Sequence, residues 1–402
     1  MWKAFGPGIL FAASAVGTSH IVQSTRAGAD FGMGPILILI LIVALKYPAS
    51  RFGRDYATAT GKSLIHHYAG YGWPVMLIYV MVVVLSMAFS SAALAMVNAS
   101  IIKAGLPVNL GIRWLALSGL IISTILLMTG RYKFLEKLNK ILVPAFSVLV
   151  VITTLIVAFQ TEWSQLNWSF PAFNSATLVY VVSIAGWLLA PLDISVFLSL
   201  WTVEKSKLGE LDKHNSNLDF NIGYWGSFIL ALCFLLLGAS LLGGAGESLP
   251  KQGGAFITQM IELFSDTIGD WSFPLIAFMA LSIMYSTLLT VMDGYSRIIE
   301  ALLNISPLAS FKKNFEIGVG LVAASSMLVI LLFMKSFTVF IDLVGVLVFV
   351  LGPVYAVLNH RAIFSSDVPI EAQPSALMRF GSWSGIVIMS LVAISYIALR
   401  WL

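Results

Sequence analysis

The chain has 402 residues, of which 59% are hydrophobic and only 10% charged, with 23 Lys plus Arg against 19 Asp plus Glu. Soluble domains carry about 25% charged residues, so this composition excludes a soluble globular protein and specifies an all-α polytopic protein of the lipid bilayer. The basic residues are scattered among loops, which argues against nucleic acid as a partner, and the single Cys233 excludes an intrachain disulfide or a CxxC zinc site.

A spanning helix takes about 20 apolar residues. About eleven runs of that size follow one another, near residues 5–30, 33–52, 72–98, 112–130, 141–160, 176–202, 219–245, 271–302, 315–335, 337–359 and 382–401. The first starts at Phe5 with almost no basic region before it, so it reads as a span and not as a cleavable leader. It contains a polar break, Gly17-Thr18-Ser19-His20. The loop after the fifth run holds Trp163, Trp168 and Pro171 and reads as interfacial. The sixth run is interrupted by Ala190-Pro191-Leu192-Asp193. Glycines at 243–246 and 253–254 read as turns of a loop. The eighth run carries Tyr285, Ser286, Thr287, Thr290 and Asp293, and Asp293 stands four residues before Arg297, the spacing of a helical ion pair.

Polar, helix-breaking residues at membrane depth are tolerated only where they are buried in protein or line a cavity. Paired breaks in corresponding spans of two halves mark the substrate site of a secondary transporter. The predicted organisation is therefore one transmembrane domain over 1–402, with a first inverted repeat over 1–160, a second over 176–359 and an extra helix at 382–401. With the N-terminus in the cytoplasm, sixteen Lys and Arg residues fall on inside loops against five outside. An odd number of spans then puts the C-terminus outside, and the expected location is a prokaryotic cytoplasmic (inner) membrane.

The stretch from Phe5-Gly6-Pro7-Gly8 through Arg26-Ala27-Gly28-Ala29-Asp30-Phe31-Gly32 resembles the first helix of the NRAMP divalent-metal transporters. The Ala57–Lys62 loop and the basic Arg131–Lys140 connection are similar to that family as well. The resemblance implies a LeuT-type fold, a 5+5 inverted repeat with helices 1 and 6 broken, plus one further helix. It also exposes departures. Where the family reads Asp-Pro-Gly-Asn, this chain has Gly17, Thr18, Ser19 and His20. Where the family reads Met-Pro-His, it has Ala190, Pro191 and Leu192, and a later family histidine is Phe197. The Asp and Met that the family uses for metal are thus missing, whereas a Mn²⁺ or Fe²⁺ site needs carboxylate, amide or thioether ligands.

Broken helices offer N–H groups at one end and carbonyls at the other, and helix N-termini bind anions. The substrate-binding candidates are Gly17, Thr18, Ser19, His20, Gln23, Ala190, Pro191, Leu192 and Asp193. Plainer readings stand beside these: Thr18, Ser19 or Asp193 as helix caps, His20 as a buried hydrogen-bonded histidine, and Arg26 as a residue reaching for the interface. Val16, Ser286, Thr287 and Thr290 are candidates for a coupling cation, because a LeuT-type fold implies Na⁺ between the first break and eighth-helix hydroxyls; interhelical hydrogen bonding is the alternative. Asp342 on the tenth run is expected to face the pathway.

No enzyme motif of the HExxH, GxSxG or Walker type is present, and no resident cofactor is expected beyond Na⁺ as a coupling ion. The expected function is symport of a small inorganic anion with Na⁺ or H⁺ by alternating access. Bicarbonate is the expected anion, which the resemblance associates with a prokaryotic NRAMP-related branch. The alternative is a divalent-cation carrier with altered selectivity for Mg²⁺ or Mn²⁺, since Mg²⁺ keeps several of its waters.

Overall fold

The computed structural model describes residues 5–169, 175–209, 213–243, 258–259, 261–262, 265–266, 269–306, 313–333 and 337–401. Pro171 and most of the glycine-rich loops lie outside them. The helices are α1 (Pro7–Ala15), α2 (Thr25–Phe31), α3 (Ile36–Thr60), α4 (Leu64–Ala69), α5 (Trp73–Gly105), α6 (Ile112–Gln160), α7 (Ser175–Trp187), α8 (Ile194–Lys207), α9 (Lys213–Leu241), α10 (Phe273–Ile305), α11 (Asn314–Phe333), α12 (Phe337–Ile363) and α13 (Ala376–Trp401). Among the described residues, nine helical stretches are long and apolar enough to cross a membrane. Two further spans are broken, α1 with α2 and α7 with α8, which gives the eleven expected.

The first span starts at Pro7, whose missing N–H and preset φ suit a first helical position. The N–H groups of Gly6 and Gly8 are accepted by the Asp219 carboxylate of α9 at 3.2 and 2.7 Å. After α1 stops, the chain makes a π-helical turn over Ser19–Ser24 and then enters α2. Hydroxyls tie that turn together five residues apart, Ser24 Oγ to Ser19 O and Thr25 Oγ1 to His20 O. Such wide turns are rare and concentrate at functional sites.

The helical stretch α6 runs for 49 residues. Straight, it would reach about 73 Å, more than twice the roughly 30 Å hydrocarbon core. Its partners on α10 show that it turns back. Gly119 and Ser123 bond Tyr285, Arg297 lies over the Tyr132 ring, Asn139 reaches Thr290, and Phe146 and Val150 share a small apolar cavity with Ile276 and Ala280. The contacted position climbs along α10 and then falls. The chain therefore reverses near Tyr132 and makes two spans, with Lys133, Lys137 and Lys140 at or just after the reversal.

Both halves of the first broken span pack on α9 through glycines. A Cβ on Gly8 would lie 2.2 Å from Asp219 O, and one on Gly28 2.0 Å from Leu235 O. On α9, a Cβ at Gly238 would lie 2.1 Å from Thr25 O. These contacts hold the break at a set depth, buried among α7, α8, α9 and α10. Gly28→Leu is expected to abolish monodisperse elution of the detergent-extracted protein, since overpacking costs about 1–3 kcal/mol even where neighbours can shift, and here the neighbour is backbone. Gly119→Ala, with open space beside it, should elute as wild type. Normal elution of Gly28→Leu would mean that α2 and α9 can separate freely.

Candidate substrate and ion site

The second break is made by backbone strain and a proline. Leu189 and Ala190 take φ of 52° and 67°, left-handed values that cost roughly 1–3 kcal/mol each for residues other than glycine, and Pro191 cannot continue a helix. The turn bonds Leu188 N to Ile184 O and Ala190 N to Trp187 O before α8 resumes. The first N–H groups of α8 are not free for an anion, contrary to the expectation from sequence. Ile194, Ser195 and Val196 donate to the carbonyls of Pro191, Leu192 and Asp193 in tight local turns.

The carbonyls at the end of α7 point to one side chain. Lys46 of α3 is buried, 3% exposed, and its Nζ lies 2.6 Å from Ala190 O, 2.7 Å from Leu188 O, 3.2 Å from Ala185 O and 3.4 Å from Gly186 O. Sequence reasoning does not reach Lys46, although an ionisable residue inside an apolar span is itself a signal.

At the first break the carbonyls converge on a hydroxyl. Thr287 Oγ1 of α10 lies 2.7 Å from Ala13 O, 3.2 Å from Val16 O and 2.9 Å from Ile283 O. Gly17 is pressed against the same threonine: a Cβ there would lie 2.9 Å from its Cγ2. Of the groups expected beside a cation, the Val16 carbonyl and the Thr287 hydroxyl come together. Ser286 bonds back to Ile283 O, and Thr290 donates to Ser286 O and accepts from Asn139 of α6, so these two serve helix packing.

Between the breaks lies a cavity of about 20 Å³, lined by Ser14, Thr18, Ser19, Ser90, Leu94, Trp187, Ala190, Pro191, Asp193, Phe197 and Tyr295 among others. That is room for about one water-sized species. Thr18 Oγ1 is buried there without a hydrogen-bond partner, and caps nothing. Ser19 donates to Ala15 O at 2.7 Å. The Asp193 carboxylate accepts from the Tyr295 hydroxyl. Gly17, His20, Gln23 and Leu192 do not line this cavity. Both ring nitrogens of His20 are engaged, Nε2 donating to Ser227 O at 2.7 Å and Nδ1 lying 2.7 Å from Ser19 Oγ. The histidine therefore ties the first break to α9, the plainer of the two sequence readings.

Polar clamps close the cavity along both directions of the helices. On the α2 side, Arg26 pairs with Asp342 of α12 at 3.0 Å instead of reaching outward, and lies 4.9 Å from the Tyr180 ring centre. Gln23 donates to Asp342 and to Ser183 of α7 in the same cluster. On the α8 side, Lys205 pairs with Glu136 at 2.7 Å, and Arg297 meets Glu204 at 3.5 Å. Trp201 donates to Asp293, which forms the expected pair with Arg297 at 2.7 Å. Both clamps are made at once.

Among the described residues, no group of three or more His, Cys, Asp or Glu could hold a metal ion. Comparison with known proteins agrees with the fold. An uncharacterized protein of Pasteurella multocida is 32% identical over 379 residues, 92% of this chain and 87% of its own length. Crystal structures of mutants of the Eremococcus coleocola manganese transporter superpose with a TM-score of 0.73 at 14% identity, covering 100% of this chain and 88% of that one. The structure of MhsT in complex with L-phenylalanine has a TM-score of 0.68 at 13% identity and covers 97% of both chains. These likenesses give the LeuT-type transporter fold, with its two discontinuous helices. Residues 8–399 match the family described as natural resistance-associated macrophage protein-like, and the chain is a member of the Nramp family of membrane transporters.

Proposed function

We propose that this Nramp-family protein carries a small inorganic anion, bicarbonate, in symport with Na⁺ or H⁺. The observation that carries the reading is the chemistry of the cavity wall. A dication needs several oxygen, nitrogen or sulfur ligands and negative charge to balance it. Here Ala190 has no ligating side-chain atom, and the one carboxylate among the described lining residues, Asp193, is already held by Tyr295. Thr18 has an unspent hydroxyl to donate. Bicarbonate is larger than the closed cavity, so binding would require one of the two clamps to open.

A second reading has its own support. Asp193 is a carboxylate on the cavity wall, and the fold is shared with a manganese transporter. A divalent ion that keeps its waters, such as Mg²⁺, needs few direct ligands. Uptake of ¹⁴C-bicarbonate, Mn²⁺ and Mg²⁺ into proteoliposomes, with and without Na⁺ or H⁺ gradients, separates the two. Saturable, gradient-driven bicarbonate uptake without metal uptake is expected. Metal uptake without bicarbonate would overturn the anion reading.

The coupling ion follows from proton counting at the first break. A hydroxyl has one proton, and the two carbonyl oxygens at the end of α1, those of Ala13 and Val16, share that of Thr287. One acceptor is left over in an apolar setting, where unpaired acceptors are costly. A bound Na⁺ would satisfy the carbonyls of Ala13 and Val16 together with the threonine oxygen. Thr287→Val is expected to weaken the dependence of uptake on Na⁺ by at least about fivefold, the scale of 1 kcal/mol, with little loss of protein. An unchanged Na⁺ dependence, or none in the wild type, would shift the coupling to protons. The bias of basic residues also supports a cytoplasmic N-terminus and an outside C-terminus, and the bacterial sources of its relatives support a prokaryotic inner membrane.

A further inference from the structure

We infer that Lys46 is a tethered cation built into the second helix break, and that its charge sets the ionic selectivity of the transport cavity. Its role as a tethered cation stands on geometry alone; its effect on selectivity rests on the anion reading above.

The two breaks have the same electrostatic problem. Each exposes the negative end of a half-helix in a low-dielectric interior. At the first break a neutral hydroxyl faces the carbonyls. At the second, an ammonium does. The left-handed turn at Leu189 and Ala190 swings the carbonyls of Leu188 and Ala190 towards Nζ, and those of Ala185 and Gly186 in the last turn of α7 complete the set. Four carbonyl oxygens around one buried nitrogen make the kind of oxygen cage that holds a cation. Here the cation is attached to α3 by its own side chain. A neutral amine would bring two protons to four acceptors; the ammonium brings three.

The cage lies directly against the cavity. Ala190 belongs to both, and Asp193, three residues further along the same break, lines the cavity wall. A buried positive charge at this place offsets the single carboxylate. It raises the cost of bringing a second, mobile cation beside it and lowers the cost of an anion, because interactions between charges are strong where water is excluded. The missing Asp and Met ligands explain why a metal would bind weakly. Lys46 adds a reason for it to be repelled.

The test compares wild type with Lys46→Gln, Lys46→Arg and Lys46→Ala. In proteoliposomes, Lys46→Gln is expected to lose bicarbonate uptake and to admit Mn²⁺ at least tenfold faster than wild type, the effect of about 1.4 kcal/mol. Lys46→Arg should continue to exclude Mn²⁺. Unchanged exclusion of Mn²⁺ by a monodisperse Lys46→Gln protein would overturn the selectivity role. The tethered-cation role has its own readout. Lys46→Ala leaves the cage open, and methylammonium should raise its melting temperature while leaving that of wild type unmoved. No response of Lys46→Ala to methylammonium would overturn the inference, even if Lys46→Gln fails to fold. If wild-type protein takes up Mn²⁺ and no bicarbonate, the anion reading fails, and with it the selectivity role. The methylammonium response then still decides whether Lys46 is the cation of the break.

Discussion

Backbone carbonyls that have lost their helix, at a depth where no bulk water can serve them, are the constraint on which the rest of this structure depends. A transporter of this architecture needs two broken helices, and each break leaves acceptors that must be satisfied by protein or by a bound ion. The chain solves the two cases differently. Thr287 supplies one proton to the carbonyls of Ala13 and Val16 at the first break. Lys46 supplies its amine protons to four carbonyls at the second. One break is met by a neutral hydroxyl and the other by a lysine from another span.

Packing places these groups. Glycines on α1, α2 and α9 let backbones approach closely, so both halves of the first span are held against one partner helix. His20 and Ser19 add a polar tie between the break and α9. The second span is held at α7 by contact with α12, where a Cβ on Gly186 would lie 1.9 Å from Gly345 O. The two halves of this second broken span are thus anchored to different neighbours, α7 to α12 and α8, through Gly53 against Ser195 O, to α3. That is the arrangement in which one half can tilt while the other stays, as alternating access requires.

The clamps at the two ends differ in strength. Arg26 and Asp342 are partly exposed, and the pair sits in a cluster of neutral polar groups. Lys205, Glu136, Asp293 and Arg297 are buried, with aromatic rings from Tyr132 and Phe315 on the guanidinium. Separating buried ions without replacement partners is far more costly than separating solvated ones. The Arg26 end is accordingly the easier one to open from this closed state.

Much of this was legible in the chain itself. Composition and the lengths of apolar runs determine an eleven-span membrane protein. The polar break at Gly17–His20 and the proline at Pro191 determine which two spans are discontinuous, because such residues have no other use at membrane depth. Tertiary structure decided the rest, because it depends on which elements meet. It turned His20 from the cavity towards Ser227, placed Thr287 and not Ser286 or Thr290 at the first break, and closed the N–H groups of α8 in local turns. It also brought Lys46, from a different span and 144 residues away from Ala190, into the second break. No local pattern encodes that meeting, since a lysine in an apolar run reads the same whether it faces lipid, a partner charge or the end of a helix.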